Sequence, residues 1–316
     1  MTAPEFPQNL TWINSEPLTM AGLRGRPVLI DFWTYSCVNC QRTQPYLNQW
    51  HEMYASAGLV IIGVHTPEFE FEKEPKNVRM AVKKEGIRYP VVMDSDYQIW
   101  NLYANQYWPR KFLINREGRI VYDHIGEGAY EETERNIRDV LGLPPGELAS
   151  DDETKRAAGR VCHPTTPETY LGYIRGRLAN APARFHDIET LFVDASNEHD
   201  QDRVYAKGRW TVHGEHIESS QDPDAELNME FRAAEVNLVI RSWAPAVLEI
   251  RLNGRPVPAR VRGEDVTESN GRTVISVTEP RMYRLISSGT HLRERLTIHP
   301  LGAGIQLYAV TFGGCA

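Results

Sequence analysis

Residues 28–45, VLIDFWTYSCVNCQRTQP, constrain what this chain can fold into more than any other stretch. Val28-Leu29-Ile30, running on into Asp31-Phe32-Trp33, is apolar and rich in strand formers, the pattern of a buried strand. Cys37 and Cys40 follow, two residues apart, at the start of a helical segment. A sulfur at a helix N-terminus faces unpaired backbone N–H groups, whose dipoles favour thiolate over thiol. Cys40, one turn further in, is expected to be more buried and able to close or open a disulfide with Cys37. A strand-to-helix junction carrying such a pair reads as a redox switch.

The surrounding chain has 316 residues, room for two domains, and its 41% hydrophobic and 24% charged residues are globular values. No apolar run approaches the roughly 20 residues that span a bilayer. The N-terminus has neither a basic region nor an apolar core, so it is not read as a signal peptide. That fits a cytosolic protein, or a fragment of a larger exported or membrane-anchored one. The net charge of −7, from 42 acidic and 35 basic residues without a basic cluster interleaved with aromatics, gives no support to nucleic-acid binding. Four cysteines are too few for a disulfide-built scaffold of this length.

In chain order, a short element near Leu10–Ile13 precedes the opening strand. A helix is predicted from Cys40 to about Ala57, bent at Pro45, then a strand over Leu59–Val64. Helices over Asn77–Glu85 and Tyr97–Asn105 flank a strand at Pro90–Asp94. Lys111–Asn115 and Ile120–Tyr122 form a hairpin, and a helix over Glu131–Leu141 closes an α/β layer domain at residues 1–145. Residues 146–160 read as a charged linker. From there to residue 316, eight short alternating segments, among them 226–231, 236–241, 282–287 and 296–299, with polar turns that include Asn253-Gly254, predict an antiparallel β-sandwich, a jelly roll.

A lone Cys-x-x-Cys pair is either half of a zinc site or a dithiol. Zinc needs two further ligands; Cys162 and His163 are the nearest candidates in sequence, and they lie beyond the domain boundary. Neither metal nor cofactor is expected. Asp31-Phe32-Trp33, Cys37, Cys40 and Pro45 together resemble the active-site segment of thioredoxin-fold proteins. The resemblance implies that Asp31 is the buried proton acceptor near Cys40, that Pro109 is the cis-proline of the docking loop, and that Gly126 is the glycine after the hairpin. The insertion between Cys40 and Pro109 is similar to that of the TlpA/ResA-like branch, which places an acidic residue, Glu68 here, near the cysteines. The wording Trp33-Thr34-Tyr35-Ser36-Cys37-Val38-Asn39-Cys40 resembles DipZ-type proteins, which join such a domain to a carbohydrate-binding-module-like β domain.

Those resemblances imply a thiol–disulfide oxidoreductase, Cys37 attacking and Cys40 resolving, acting on protein disulfides as a reductant. They also imply an extracytoplasmic, periplasmic or cell-envelope setting and an upstream electron donor of the membrane CcdA type. Trp33, Tyr35 and Trp108 are candidates for the substrate-docking surface. A peroxiredoxin-type peroxidase is the rival enzyme, from the Thr34-to-Cys37 spacing, although Ile30 stands where those enzymes carry proline. A glycan-binding module is the other class of reading, with Tyr205, Trp210, Trp243 and Tyr283 as candidate contacts. Cys162 and Cys315, near the ends of the β domain, are either bridged or two separate thiols.

Overall fold

Strand β2 (Val28–Trp33) is buried along its whole length and forms the centre of the first sheet. The computed structural model describes residues 1–144, 162–196 and 198–315, so the linker expected over 146–160 lies outside the described residues. The chain divides into two compact units, Met1–Gly159 and Arg160–Ala316. Among the described residues no helix is long and apolar enough to cross a membrane.

In the first unit the remaining strands are β1 (Thr11–Ile13), β3 (Val60–His65), β4 (Val91–Met93), β5 (Arg110–Ile114) and β6 (Ile120–Ile125). Their order is β1-β4-β3-β2-β5-β6, with β2, β3 and β4 parallel and the other pairings antiparallel. Helices α1 (Val38–Tyr54), α2 (Pro75–Lys84), α3 (Gln98–Leu102) and α4 (Tyr130–Leu141) complete the unit, each within a few residues of its predicted place or, for α3, shorter. Alternation along β2 sends Val28, Ile30 and Phe32 into one apolar layer with Ile62, Val64, Phe112 and Ile114. Leu29, Asp31 and Trp33 therefore point to the opposite face of the sheet. Pro45 sits inside α1 as expected. The buried Glu134 of α4 accepts hydrogen bonds from Trp50 Nε1 (3.2 Å) and the Tyr54 hydroxyl of α1, tying together the two helices.

The second unit is all-β. Among the described residues its eleven strands are β7 (Thr169–Tyr170), β8 (Glu189–Phe192), β9 (Val204–Val212), β10 (Ile217–Ser219), β11 (Glu226–Ser242), β12 (Ala246–Leu252), β13 (Arg255–Pro256), β14 (Thr267–Ser269), β15 (Arg272–Val277), β16 (Arg281–Pro300) and β17 (Ile305–Gly313). The hydrogen-bonded path runs β14-β15-β12-β16-β11-β17-β10-β9-β8. Two pairs of segments expected as separate strands are continuous: 226–231 with 236–241 in β11, and 282–287 with 296–299 in β16. Register shifts between Ala233 and Glu235 and between Val236 and Asn237 break the alternation there, so one long strand reads in sequence as two. The first half of β11 pairs with β9 and its second half with β17, while β16 follows it throughout. A disulfide joins Cys162 to Cys315 across 153 residues of sequence.

Candidate active site

The chain leaves β2 at Trp33 and enters α1 through Thr34-Tyr35-Ser36, with Cys37 as the N-cap of the helix. Cys37 takes the role that Ser, Thr or Asp usually fills, its sulfur accepting from the Cys40 N–H at 3.2 Å. Cys37 is half-buried and Cys40 buried, and both are free thiols. The junction is held from several sides. Gln41 Nε2 donates to Tyr35 O at 2.9 Å, and Ser36 donates to Glu72 Oε1 through its N–H at 3.2 Å and its hydroxyl at 2.7 Å.

Glu72 lies in the short 3-10 turn Glu70–Lys73 and is fully buried. Its other oxygen accepts from the Glu68 N–H at 2.6 Å and the Phe69 N–H at 3.0 Å. Burial raises its carboxyl to about 7, with the Glu68 charge adding and bonds from Thr34, Ser36 and Phe69 opposing. Glu72 is thus a carboxylate bonded to the cysteine loop, through Ser36, and Glu68, expected near the cysteines, is half-buried beside it and donates its backbone N–H to Glu72. Four residues apart in one acidic, aromatic stretch, the two are not separable by sequence pattern.

Asp31 is buried on the face of β2 opposite that apolar layer, and its Oδ1 has no hydrogen-bond partner. Burial raises its carboxyl from 3.8 to about 7, opposed by the positive charge of Lys111. Asp31 and Lys111 face each other across the antiparallel β2–β5 pairing, and Lys111 is itself fully buried, its Nζ donating to Gly126 O at 3.3 Å. Burial lowers the Lys111 ammonium, while Asp31, Cys40 and Glu127 hold it up. Burial also pushes the Cys40 thiol well above its usual range; the hydrogen bond to the Cys37 sulfur and the charges of Cys37 and Asp31 add to this, and a backbone bond to Thr34 opposes it. Lys111 was missed in the sequence, where a lysine at the head of a strand reads as an exposed edge.

Pro109, buried, precedes β5 and follows a cis peptide bond from Trp108. Its carbonyl accepts from Gly126 N–H at 2.8 Å, and Gly126 holds φ +84°, a conformation that favours glycine. Because Phe32 pairs with Arg110, Pro109 lies at the end of the sheet where β2 gives way to the cysteine loop. Trp108 donates from Nε1 to Thr66 O at 3.0 Å and packs on Trp100 with ring centroids 4.2 Å apart, leaving it half-buried. Trp33 and Tyr35 are buried and bracket the buried His65, at 5.0 Å edge-on and 5.6 Å stacked. Burial lowers the His65 imidazole to about 3, so it is a neutral wedge beneath the loop. Gly63, opposite Asp31 on β3, leaves room for the Trp33 indole, which a Cβ there would meet at 2.9 Å.

The glycan candidates divide. Trp210 and Tyr283 are fully buried in the core, Trp210 bonding its Nε1 to Lys207 O at 2.8 Å, so both are closed to any ligand. Tyr205 is half-buried and stacks on His199, and Trp243 is 73% exposed beneath the Arg241 guanidinium, 3.7 Å from its ring centre.

A redoxin family model matches residues 1–141, and a model for a thioredoxin like C-terminal domain matches residues 166–313. Protein DipZ of Mycobacterium bovis is 32% identical over 99% of this chain. The chain belongs to the thioredoxin superfamily. It spans 43% of the length of DipZ. Two further relatives match part of the chain: the thiol-disulfide oxidoreductase ResA of Bacillus thuringiensis, 28% identical over 44% of this chain and 76% of its own, and the thiol-disulfide oxidoreductase YkuV of Bacillus subtilis, 25% identical over 44% and 93%.

Proposed function

We propose that the first unit reduces disulfides in partner proteins through Cys37 and Cys40. The observation that carries this is the asymmetry of the pair: Cys37 is partly open to solvent at the helix N-cap, while Cys40 is buried one turn in, close enough for the Asp31 charge to bear on its thiol. The Cys37 thiolate attacks one sulfur of the substrate disulfide. A Cys37–substrate bond forms, the substrate S–S bond breaks, and the leaving sulfur takes up a proton from solvent. Cys40 then loses its proton to the Asp31 carboxylate, directly or through a water, and attacks the Cys37 sulfur. The substrate leaves with both sulfurs reduced, and two electrons have passed from the dithiol, which is left as the Cys37–Cys40 disulfide.

Lys111 offsets the Asp31 charge and keeps that carboxylate accessible as a base despite its burial. Pro109 and Trp108 form the wall facing the substrate. An upstream dithiol donor returns the pair to the reduced form. The proposed compartment is extracytoplasmic, supported by the Cys162–Cys315 bridge, since such bonds persist in oxidising surroundings.

The test is turnover of a disulfide-bonded protein such as insulin. Cys37→Ser abolishes reduction, and Cys40→Ser accumulates a mixed disulfide. Full turnover by Cys40→Ser would overturn the two-cysteine mechanism. A reduction potential of roughly −270 mV supports a reductant, and one of about −120 mV an oxidant.

A further inference from the structure

The turn between β9 and β10 gathers three metal-ligating side chains that take no part in the thiol chemistry. One ligand atom from each of His213, His216 and Glu218 lies within 4.8 Å of the other two. The backbone beneath them is fixed: His213 N–H donates to His216 O at 2.7 Å, and Ile217 pairs with Val212 on one side and Leu307 on the other.

The side chains are held in an arrangement that hydrogen bonding within the cluster does not satisfy. His216 Nε2 is buried without a hydrogen-bond partner and stands 3.9 Å from Glu218 Oε2. That gap is too long for a hydrogen bond. It is near the separation of two donors on one tetrahedral ion, about 3.4 Å for metal–ligand bonds of about 2.1 Å.

Supporting groups surround the three. His213 Nδ1 lies 2.9 Å from Asp187 Oδ1, and the other Asp187 oxygen accepts from the Tyr173 hydroxyl at 2.8 Å. A carboxylate on one imidazole nitrogen fixes the proton there and presents the lone pair at the other, the arrangement that orients histidines on metals. Glu218 Oε2 accepts from Gln306 Nε2 at 2.8 Å, and the Tyr308 hydroxyl donates to Gln306 Oε1 at 3.0 Å, which fixes the glutamate. The His216 and Glu218 side chains keep 17% and 32% of their surface exposed.

We propose that His213, His216 and Glu218 form a binding site for a first-row divalent transition-metal ion of the zinc type, with Asp187 orienting His213 and water completing the coordination. Two imidazoles and one carboxylate suit such an ion, whereas calcium and magnesium favour all-oxygen sites.

The test is titration of the full chain with ZnCl2 against a chromophoric chelator, after oxidising Cys37 and Cys40 to their disulfide so that no thiolate competes. Wild type is expected to bind one Zn2+ per chain. Glu218→Gln and His216→Asn should weaken binding by more than about 100-fold, and Asp187→Asn by roughly 10–100-fold, the usual effect of an orienting group. Co2+ in place of Zn2+ should give a visible ligand-field band without thiolate charge transfer. Glu218→Gln keeps an acceptor for Gln306, so its metal-free thermal unfolding should match wild type while its Zn2+-induced rise in Tm is lost. Failure of the oxidised wild type to bind stoichiometrically, or equal affinity in Glu218→Gln and His216→Asn, overturns the site.

Discussion

Asp31→Asn should make the protein more stable at alkaline pH while slowing it as a catalyst. Burial raises the Asp31 carboxyl from 3.8 to about 7. At 1.36 kcal/mol for each tenfold change, its ionised form is about 4 kcal/mol costlier in the folded protein than in the unfolded chain. Between about pH 4 and about pH 7 the folded protein holds a proton that the unfolded chain has released. Stability therefore falls as pH rises through that window, and above it the whole cost is present. Asparagine removes the titration but leaves a buried polar group, worth about 1–3 kcal/mol if unpaired, so the net gain at pH 8 should be about 1–3 kcal/mol. The assay is guanidinium denaturation of both proteins under the same reductant across this pH range. In parallel, the rate at which Cys40 releases a trapped substrate should lose its inflection near pH 7 in the variant. A wild type as stable as Asp31→Asn at pH 8, or an unchanged pH–rate profile, would refute the assignment of Asp31 as the proton acceptor.

Other expectations concern separate parts of the molecule. Lys111→Met removes the charge that holds Asp31 down, so the inflection in the resolution rate should move above about 7, read from the same pH profile. Trp210→Ala should cost about 3–5 kcal/mol because it empties the core, whereas Trp243→Ala should stay within about 0.5 kcal/mol; thermal unfolding distinguishes them. Replacing both Cys162 and Cys315 by serine reopens a loop of 153 residues and should cost roughly 4–5 kcal/mol in the same measurement if chain entropy governs the bridge.

The cysteines and Asp31 were legible because one local pattern, strand into helix, carries all of them. Lys111 was not, because its burial follows from its pairing with Asp31 across 80 positions of chain, which no local pattern shows. Glu72 was not singled out because its burial is decided by a single 3-10 turn, which no local pattern shows. In β9 the burial alternates, and Trp210 shares the inward face with Val204, Ala206 and Val212; period-2 alternation alone does not say which face is wet. The long strands were cut in two by their own bulges.

The Cys162–Cys315 bond changes how the β unit bears load. It links the two ends of that unit as an antiparallel pair of neighbours, so the polypeptide between them is a covalent ring. A pull on the chain on either side passes from sulfur to sulfur and bypasses the eleven strands. Stretched with the bond intact, the unit should yield almost no length; only reduction lets tension reach the sheet.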